Sequence, residues 1–239
     1  MLPLWPHPYG RSYGEWIAAW WQWAAGTPAT HNPGLDPTGK DCAVGQKGPV
    51  WFLAGSFISG QTVKRTECRI PAGTALFFPI ANESWLSNPK LPGCAPADPW
   101  YGATPADRVR WALFERVILH NPRHIWTPNR RDRLSFSADG WYVPGLHALY
   151  AQSPVFQSDL PEDNIFDVLC GVPVRAFRST PDVAWGYHVF LAPLPPGRHR
   201  LRWTADVVGG SNPDRSIGRI KQNVTYELVV APKLALPAR

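Results

Sequence analysis

The sequence lacks the long apolar run that a membrane-spanning helix needs. The tryptophan-rich run around Trp20–Trp23 is followed at once by Gly26 and Pro28, well short of about 18 consecutive apolar residues. Charged residues make up only 18% of the chain, and acids interleave with the densest group of arginines, Arg108–Arg133. No helix-turn-helix, RNP-like or zinc-finger pattern accompanies the net charge of +6. We therefore expect no membrane span, and the pattern disfavours nucleic acid as a partner.

Signature motifs of the common enzyme classes are also missing. The chain has no Gly-x-Ser-x-Gly, no Walker phosphate loop, no His-Glu-x-x-His and no glycine-rich dinucleotide pattern. His120 and His124 have the spacing of two metal ligands on one helix face, but Asn121-Pro122 between them breaks a helix. Nucleotide-dependent and serine-hydrolase chemistries are therefore disfavoured, and neither a metal nor another cofactor is predicted.

Cysteine is scarce, with four residues in the chain, and no two of them form a Cys-x-x-Cys pair. Zinc and thioredoxin-type sites bring ligands close together in sequence, so two disulfides are favoured instead. Of the three possible pairings we expect Cys42–Cys68 and Cys94–Cys170. Disulfides indicate an oxidising compartment, periplasmic or extracellular.

The N-terminus does not have the composition of a secretion signal. Residues 1–6 contain neither a positively charged side chain nor an apolar core. Two interpretations are open: a mature form with an added Met1, or a cytosolic protein with free thiols. The first is favoured, and periplasmic or secreted localisation is the expectation.

Proline and glycine are by contrast abundant, with 27 and 20 residues. They separate short apolar runs, which favours many strands and turns over long helices. We predict one mainly β domain over residues 1–239, a β-sandwich of jelly-roll type with two packed α-helices. The predicted strands are Pro49–Phe57, Thr62–Ile70, Thr74–Ile80, Arg133–Ala138, Trp141–Val143, Trp185–Leu191, His199–Val207 and Asn223–Val230.

Two segments carry helix signals. Residues 12–25 begin with Ser12 and Glu15, the two halves of a capping box. One face of this helix carries Trp16, Trp20 and Trp23. So apolar a helix must be covered, either by the rest of the protein, which is favoured, or by a partner. Residues 105–120 form the second predicted helix, with Thr104 as its N-cap and proline at its first position.

Several motifs, in one order along the chain, resemble a family of bacterial exported proteins. They are Ser12-Tyr-Gly-Glu-Trp, Trp20-Trp21-Gln22-Trp23, Gly48-Pro-Val-Trp-Phe-Leu-Ala-Gly55, Ile70-Pro-Ala-Gly73, Leu76-Phe-Phe-Pro-Ile80, Gln152-Ser-Pro-Val-Phe156, Leu160-Pro-Glu-Asp-Asn164, Leu191-Ala-Pro-Leu-Pro-Pro-Gly-Arg-His199 and Asn223-Val-Thr-Tyr226. The resemblance covers nearly the whole chain and implies export and a β-rich domain. It implies no activity, so no functional residues are carried over. Members of the family carry a signal peptide, and residues 1–6 of this sequence do not have the composition expected of one.

Two titratable residues are candidates for chemistry. Glu83 follows the apolar strand Thr74–Ile80, where burial would raise the pKa of its carboxyl toward the range of a general acid. The alternative for Glu83 is a carboxylate that pairs with an arginine or caps the backbone. His188 lies in mid-strand on one face with Gly186 and Phe190, and the alternative is a hydrogen-bonded core histidine.

Thirteen tryptophans are the strongest compositional signal and allow three functions. Indoles in or beside loops offer flat faces on which sugars stack, here Trp85, Trp100, Trp126 and Trp141. We favour non-catalytic binding of a carbohydrate or another small ligand through these residues. The second hypothesis is a cell-envelope or secreted enzyme, of hydrolase or lyase type, that uses Glu83 and His188. The third is a protein-interaction module that docks through the tryptophan helix.

Overall fold

The computed structural model describes residues 7–87, 89, 132–207, 211–212, 215–216 and 220–232. Within these ranges the chain contains two α-helices, α1 (Tyr13–Gly26) and α2 (Ile165–Cys170). The strands are β1 (Val50–Phe52), β2 (Thr62–Arg65), β3 (Arg69–Pro71), β4 (Ala75–Trp85), β5 (Arg133–Ala138), β6 (Trp141–Tyr142), β7 (Tyr150–Gln152), β8 (Phe156–Leu160), β9 (Phe177–Leu191), β10 (Gly197–Val207), β11 (Ser211–Asn212), β12 (Arg215–Ser216) and β13 (Ile220–Ala231).

All strands but β11 and β12 form two packed sheets, and among the described residues those two pair only with each other. The inner sheet has the order β1-β4-β9-β7, and β8 also pairs with β9. The outer sheet has the order β2-β13-β10-β5-β6, and β3 also pairs with β13. Apolar side chains from the facing sides of both sheets share one buried core. The protein is therefore mainly β and a β-sandwich with helices packed on it, as predicted, whereas the jelly-roll subtype stays a prediction.

Helix α1 covers the other face of the inner sheet, so that this sheet is buried on both sides. Its start is the predicted capping box: the Glu15 amide donates to the Ser12 hydroxyl, and the Ser12 amide donates to the Glu15 carboxylate. All its tryptophans are buried, at Trp16, Trp20, Trp21 and Trp23. The Trp20 indole N–H also donates to the Leu53 carbonyl at 3.0 Å.

Burial of α1 decides between the two ways in which its tryptophans could be covered. The rest of the protein covers them, so the favoured interpretation is confirmed, and the helix presents none of these indoles to a partner. The predicted helix at 105–120 lies outside the described residues. The short helix α2, which starts at the capping residue Asn164, was not anticipated from the sequence.

The predicted strand Pro49–Phe57 is too long, because only Val50–Phe52 pairs with β4. Beyond Phe52, side chains take over the backbone hydrogen bonds that a sheet ladder would make. The Arg65 guanidinium donates to the Ala54 and Gly55 carbonyls at 2.6 and 3.0 Å. These partners come from distant parts of the sequence, so local alternation does not reveal them.

The predicted strand Thr62–Ile70 is two strands, β2 and β3, that pair in parallel with successive parts of β13. The break comes where the Thr66 and Glu67 amides donate to the Thr38 carbonyl instead of to a strand, at 2.8 and 3.1 Å. Cys68 follows directly and forms the predicted disulfide with Cys42. Cys170 is not free either, but Cys94 lies outside the described residues, so the second pairing stays a prediction.

The remaining strands are found where they were predicted, several with greater length. The strands β4, β9, β10 and β13 extend the predicted runs, and β7 and β8 were not predicted. The Asp139-Gly140 turn between β5 and β6 has φ of 50° and 86° at its two residues. Two positive φ values are what a type I′ hairpin turn requires, so this prediction is confirmed. Among the described residues, no helix is long and apolar enough to cross a bilayer.

The buried Arg65 side chain donates hydrogen bonds to the carbonyls of Asp36, Ala54 and Gly55 and to the Tyr226 hydroxyl. Its replacement tests whether these bonds attach the loops after α1 and β1 to the β-sandwich. We expect Arg65→Met to lower the free energy of unfolding by more than about 3 kcal/mol, because several buried acceptors lose their donor at about 1–3 kcal/mol each. Arg69→Met is the matched control, since Arg69 is exposed on β3, and it should cost about 0.5 kcal/mol or less. Urea unfolding followed by tryptophan fluorescence measures both; equal losses would contradict the prediction.

Candidate functional site

Glu83 lies near the end of β4, where the strand emerges from the core and its side chains become half-buried. A β-bulge at Ile80 determines which way this carboxyl points. Before the bulge Pro79 pairs with His188, and after it Ala81 pairs with Tyr187, so the two faces of β4 exchange. Glu83 therefore points between the two sheets rather than toward α1.

Buried polar atoms without partners gather around Glu83. Its carboxylate oxygen Oε2 is buried and has no hydrogen-bond partner among the described residues. The same holds for the indole nitrogens of Trp85 and Trp185. Trp185 is directly opposite Glu83 in the β4–β9 ladder, and Trp85 is two residues along the same face. Opposite side chains in a ladder have Cβ atoms about 5 Å apart, and alternate residues on one face of a strand are about 6.8 Å apart, so Trp185 and Trp85 both flank Glu83.

Burial changes the acid–base behaviour of this cluster. It raises the pKa of Glu83 to about 7, as the sequence predicted in direction. Burial, together with the negative charge of Glu83, raises the pKa of the neighbouring Tyr150 hydroxyl. At neutral pH the Glu83 carboxyl therefore exists in both protonation states, while Tyr150 keeps its proton. Such a carboxyl can act as an acceptor, as a donor or as a general acid–base group.

A second polar network adjoins the cluster on its β7 side. The Tyr187 hydroxyl donates to the buried carboxylate of Asp132 at 2.8 Å, and a ring nitrogen of His147 lies 2.9 Å from the Asp132 carbonyl oxygen. The Tyr187 ring is in edge contact with Tyr150, with their centroids 5.6 Å apart. These contacts fix Tyr150 beside Glu83 and give the site a rigid aromatic wall.

His188 does not join Glu83. It lies on the opposite face of the inner sheet, fully buried under α1, with its ring stacked on Phe77 at 5.4 Å between centroids. Burial lowers the pKa of His188 to about 3, so the ring is neutral. The enzyme hypothesis that paired these two residues thus loses one of them. His188 is a core residue, as in the alternative interpretation, but its two ring nitrogens are among the buried polar atoms without a hydrogen-bond partner in the described residues.

The four loop tryptophans have separate outcomes. Trp85 is on β4 rather than in a loop and belongs to the Glu83 cluster, which joins two residues that the sequence had assigned to different hypotheses. Trp141 is 83% exposed on β6, and its neighbour Tyr142 is 75% exposed. Trp100 and Trp126 lie outside the described residues.

Sequence reasoning missed Trp185 and Tyr150 as members of this site. Both lie in apolar stretches that are typical of core strands, and only the pairing of β9 with β4 and β7 brings them to Glu83. No group of three or more His, Cys, Asp or Glu side chains that could hold a metal ion occurs in the described part of the chain. No family model, curated protein or solved structure matches the chain, so the assignment of the site depends on its own geometry.

Glu83 makes a specific prediction about pH. Its folded-state pKa of about 7 lies above the ordinary 4.5, so the folded protein binds the extra proton and its stability falls as pH rises through this window. Between pH 5 and pH 8 the wild type should lose about 2–3 kcal/mol of unfolding free energy through this carboxyl. Glu83→Gln has no carboxyl to titrate, so its stability should not show this loss.

The control for this prediction is Glu227→Gln. The hydrogen bond from Lys64 lowers the pKa of Glu227, so its titration lies below pH 5 and its variant should follow the wild type from pH 5 to pH 8. Urea unfolding at the two pH values measures both variants. A Glu83→Gln curve parallel to the wild-type curve would show that the carboxyl titrates normally.

Proposed function

We propose that the protein binds a small carbohydrate or a similarly hydroxyl-rich ligand at the cluster formed by Glu83, Trp85, Trp185 and Tyr150. One observation carries the proposal: a buried carboxylate oxygen and two buried indole N–H groups, adjacent on one sheet face, have no partner among the described residues. Buried polar groups are nearly always paired, so such a concentration favours a site that a ligand completes.

The chemistry of these groups favours hydroxyls. An indole N–H only donates, and an ionised carboxylate only accepts, so the ligand must offer both acceptors and donors within a few ångströms. Adjacent hydroxyls of a sugar supply both, and the apolar faces of the surrounding rings accommodate the C–H faces of the sugar. Glu83 and Trp85 are half-buried at the end of β4, so part of each side chain is accessible to solvent.

This proposal modifies the one drawn from the sequence. The ligand class is the same, but the binding groups are indoles and a carboxyl between the sheets rather than a set of loop tryptophans. The Cys42–Cys68 disulfide supports an oxidising compartment, periplasmic or extracellular, where free oligosaccharides and glycans are available.

The test is binding of neutral oligosaccharides, namely cello-, xylo-, malto- and chito-oligosaccharides, measured by calorimetry and by the shift of the melting temperature. We expect one series to bind, and Trp85→Phe and Trp185→Phe each to weaken binding about 3- to 10-fold, because each loses one hydrogen-bond donor but keeps an aromatic ring.

Trp51→Phe is the matched control. The Trp51 indole N–H is also buried and without a partner, but it lies on β1, which pairs with the opposite end of β4. Its replacement should leave the affinity unchanged, as should Trp141→Ala on the exposed hairpin. Failure of all four series to bind, or an equal loss in Trp51→Phe, would reject the proposal.

A second function, acid–base catalysis on the bound sugar, is favoured by one observation: the pKa of Glu83 is about 7, the value at which a carboxyl exchanges protons most effectively at neutral pH. A catalyst would release reducing ends from the oligosaccharide that binds, and Glu83→Gln would abolish that release while binding persisted. Binding without any release of reducing ends would leave the non-catalytic function.

A further inference from the structure

The solvent side of the outer sheet carries a row of arginines. On β10 the residues Leu201, Trp203 and Ala205 are buried, and the alternate positions Arg198, Arg200 and Arg202 are exposed. Alternate residues on one face of a strand are about 6.8 Å apart. The three guanidinium groups therefore form a row along the solvent-facing side of β10.

Neighbouring strands widen this row into a face. Across β13, the register places Lys64 of β2 level with Arg202, and Arg69 of β3 level with Arg198. We call the five residues the arginine face: Arg198, Arg200, Arg202, Lys64 and Arg69. Glu227 of β13 is the carboxylate opposite Arg200, and it pairs with Lys64 at 2.9 Å. Asp139, directly after β5, is a second acid beside this row, since its carboxylate accepts from the Arg200 amide at 2.7 Å and contacts His199. Five cations therefore stand against two acids.

The guanidinium groups of this face are available to a partner. None of the four arginines forms an ion pair with another residue in the described ranges. The next acid along β10, Asp206, is paired with Arg133 and does not compensate them. A flat surface with this excess of cations attracts anions and is complementary to an extended anionic chain.

Two features select the kind of anion. Four of the five cations are arginines, whose planar forks match carboxylates and phosphates in two-point hydrogen bonds and so favour a polymer that carries such oxyanions. Tyr142 of β6 lies on the same face and is 75% exposed. It pairs with Ser137 of β5, and Ser137 pairs in turn with Arg202 of β10. A ring about two strand spacings, or about 10 Å, from a guanidinium suits a sugar residue that stacks while a neighbouring carboxylate is held.

We propose that the arginine face binds an acidic polysaccharide, one that carries uronic acid carboxylates. The disulfide favours carbohydrate over nucleic acid as the polymer, because disulfide-forming compartments are not those in which nucleic acids are ordinary partners. This surface is on the outside of the outer sheet, whereas the Glu83 cluster lies between the sheets, so either site can exist without the other.

The experiment measures the dissociation constant for polygalacturonate at 50 mM NaCl. We expect binding that weakens at least tenfold at 0.5 M NaCl, because salt screens exposed charges. R200Q/R202Q should weaken binding at least tenfold, and Y142A about threefold or more. K47Q/R175Q is the charge-matched control, since it removes two exposed cations that precede strands β1 and β9 of the inner sheet, and it should change the constant less than twofold.

Three further probes separate the partner classes. Fully methyl-esterified polygalacturonate has the same backbone without charge, and it should not bind. Polyglutamate has carboxylates without sugars, and it should bind at least threefold more weakly than polygalacturonate. The proposal is overturned if polyglutamate, single-stranded DNA or phosphatidylglycerol vesicles bind as tightly as polygalacturonate.

The variants distinguish this proposal from the one made for the Glu83 cluster. Trp185→Phe should leave polygalacturonate binding unchanged, and R200Q/R202Q should leave binding of neutral oligosaccharides unchanged. A loss of polygalacturonate binding in K47Q/R175Q equal to that in R200Q/R202Q would show that only net charge matters, and would also overturn the proposal.

Discussion

The buried guanidinium of Arg65 connects parts of the chain that no sheet ladder connects. It donates to the carbonyls of Asp36, Ala54 and Gly55 and to the Tyr226 hydroxyl, and it lies over the Tyr226 ring. The loop after α1, the segment after β1 and the strand β13 thus share one side chain. A buried cation without partners is strongly unfavourable, so displacement of one of these segments would weaken the position of the others. The position of α1 depends on the same segments, since Trp20 donates to the neighbouring Leu53 carbonyl.

The Glu83 cluster is the reverse case, a place where burial is not compensated. An unpartnered carboxyl between two unpartnered indoles costs stability, and the inner sheet tolerates it at the one end where its core gives way to half-buried side chains. Other buried polar atoms without a hydrogen-bond partner also occur in the described residues, among them the indole nitrogens of Trp51 and Trp203 and both ring nitrogens of His188. The contrast between Arg65 and Glu83 is the strongest reason to look for function at the end of β4.

Local signals in the sequence predicted what depends on local contacts. The capping box of Ser12 and Glu15 fixed the start of α1, and Asp139-Gly140 fixed the β5–β6 turn. Alternation located the outer-sheet strands β10 and β13 because one face of that sheet meets water, but it did not reveal the break between β2 and β3. The inner sheet is buried on both faces, so β4 and β9 read as continuous apolar runs and were found at less than their full length, while β7 and β8 were missed.

The candidate site was only half predictable for the same reason. Glu83 was identified from its position after an apolar run, and its raised pKa followed from burial. Its neighbours depend on the bulge at Ile80, which turns Glu83 away from His188 and toward Trp185. One extra residue in a strand leaves no signature in the hydrophobic pattern, so the sequence paired Glu83 with the wrong partner.

Helix α1 has a consequence for the order in which the chain is made. Its partners on β9 come late in the sequence: the Tyr13 hydroxyl bonds the carbonyl of His188, 175 residues further on. At synthesis rates of about 5–20 residues per second, the four indoles wait roughly 10 to 30 s for the strand that covers them. During that interval the apolar face of α1 is exposed on the nascent chain. A chaperone that binds apolar segments would therefore meet α1 before any other part of the core.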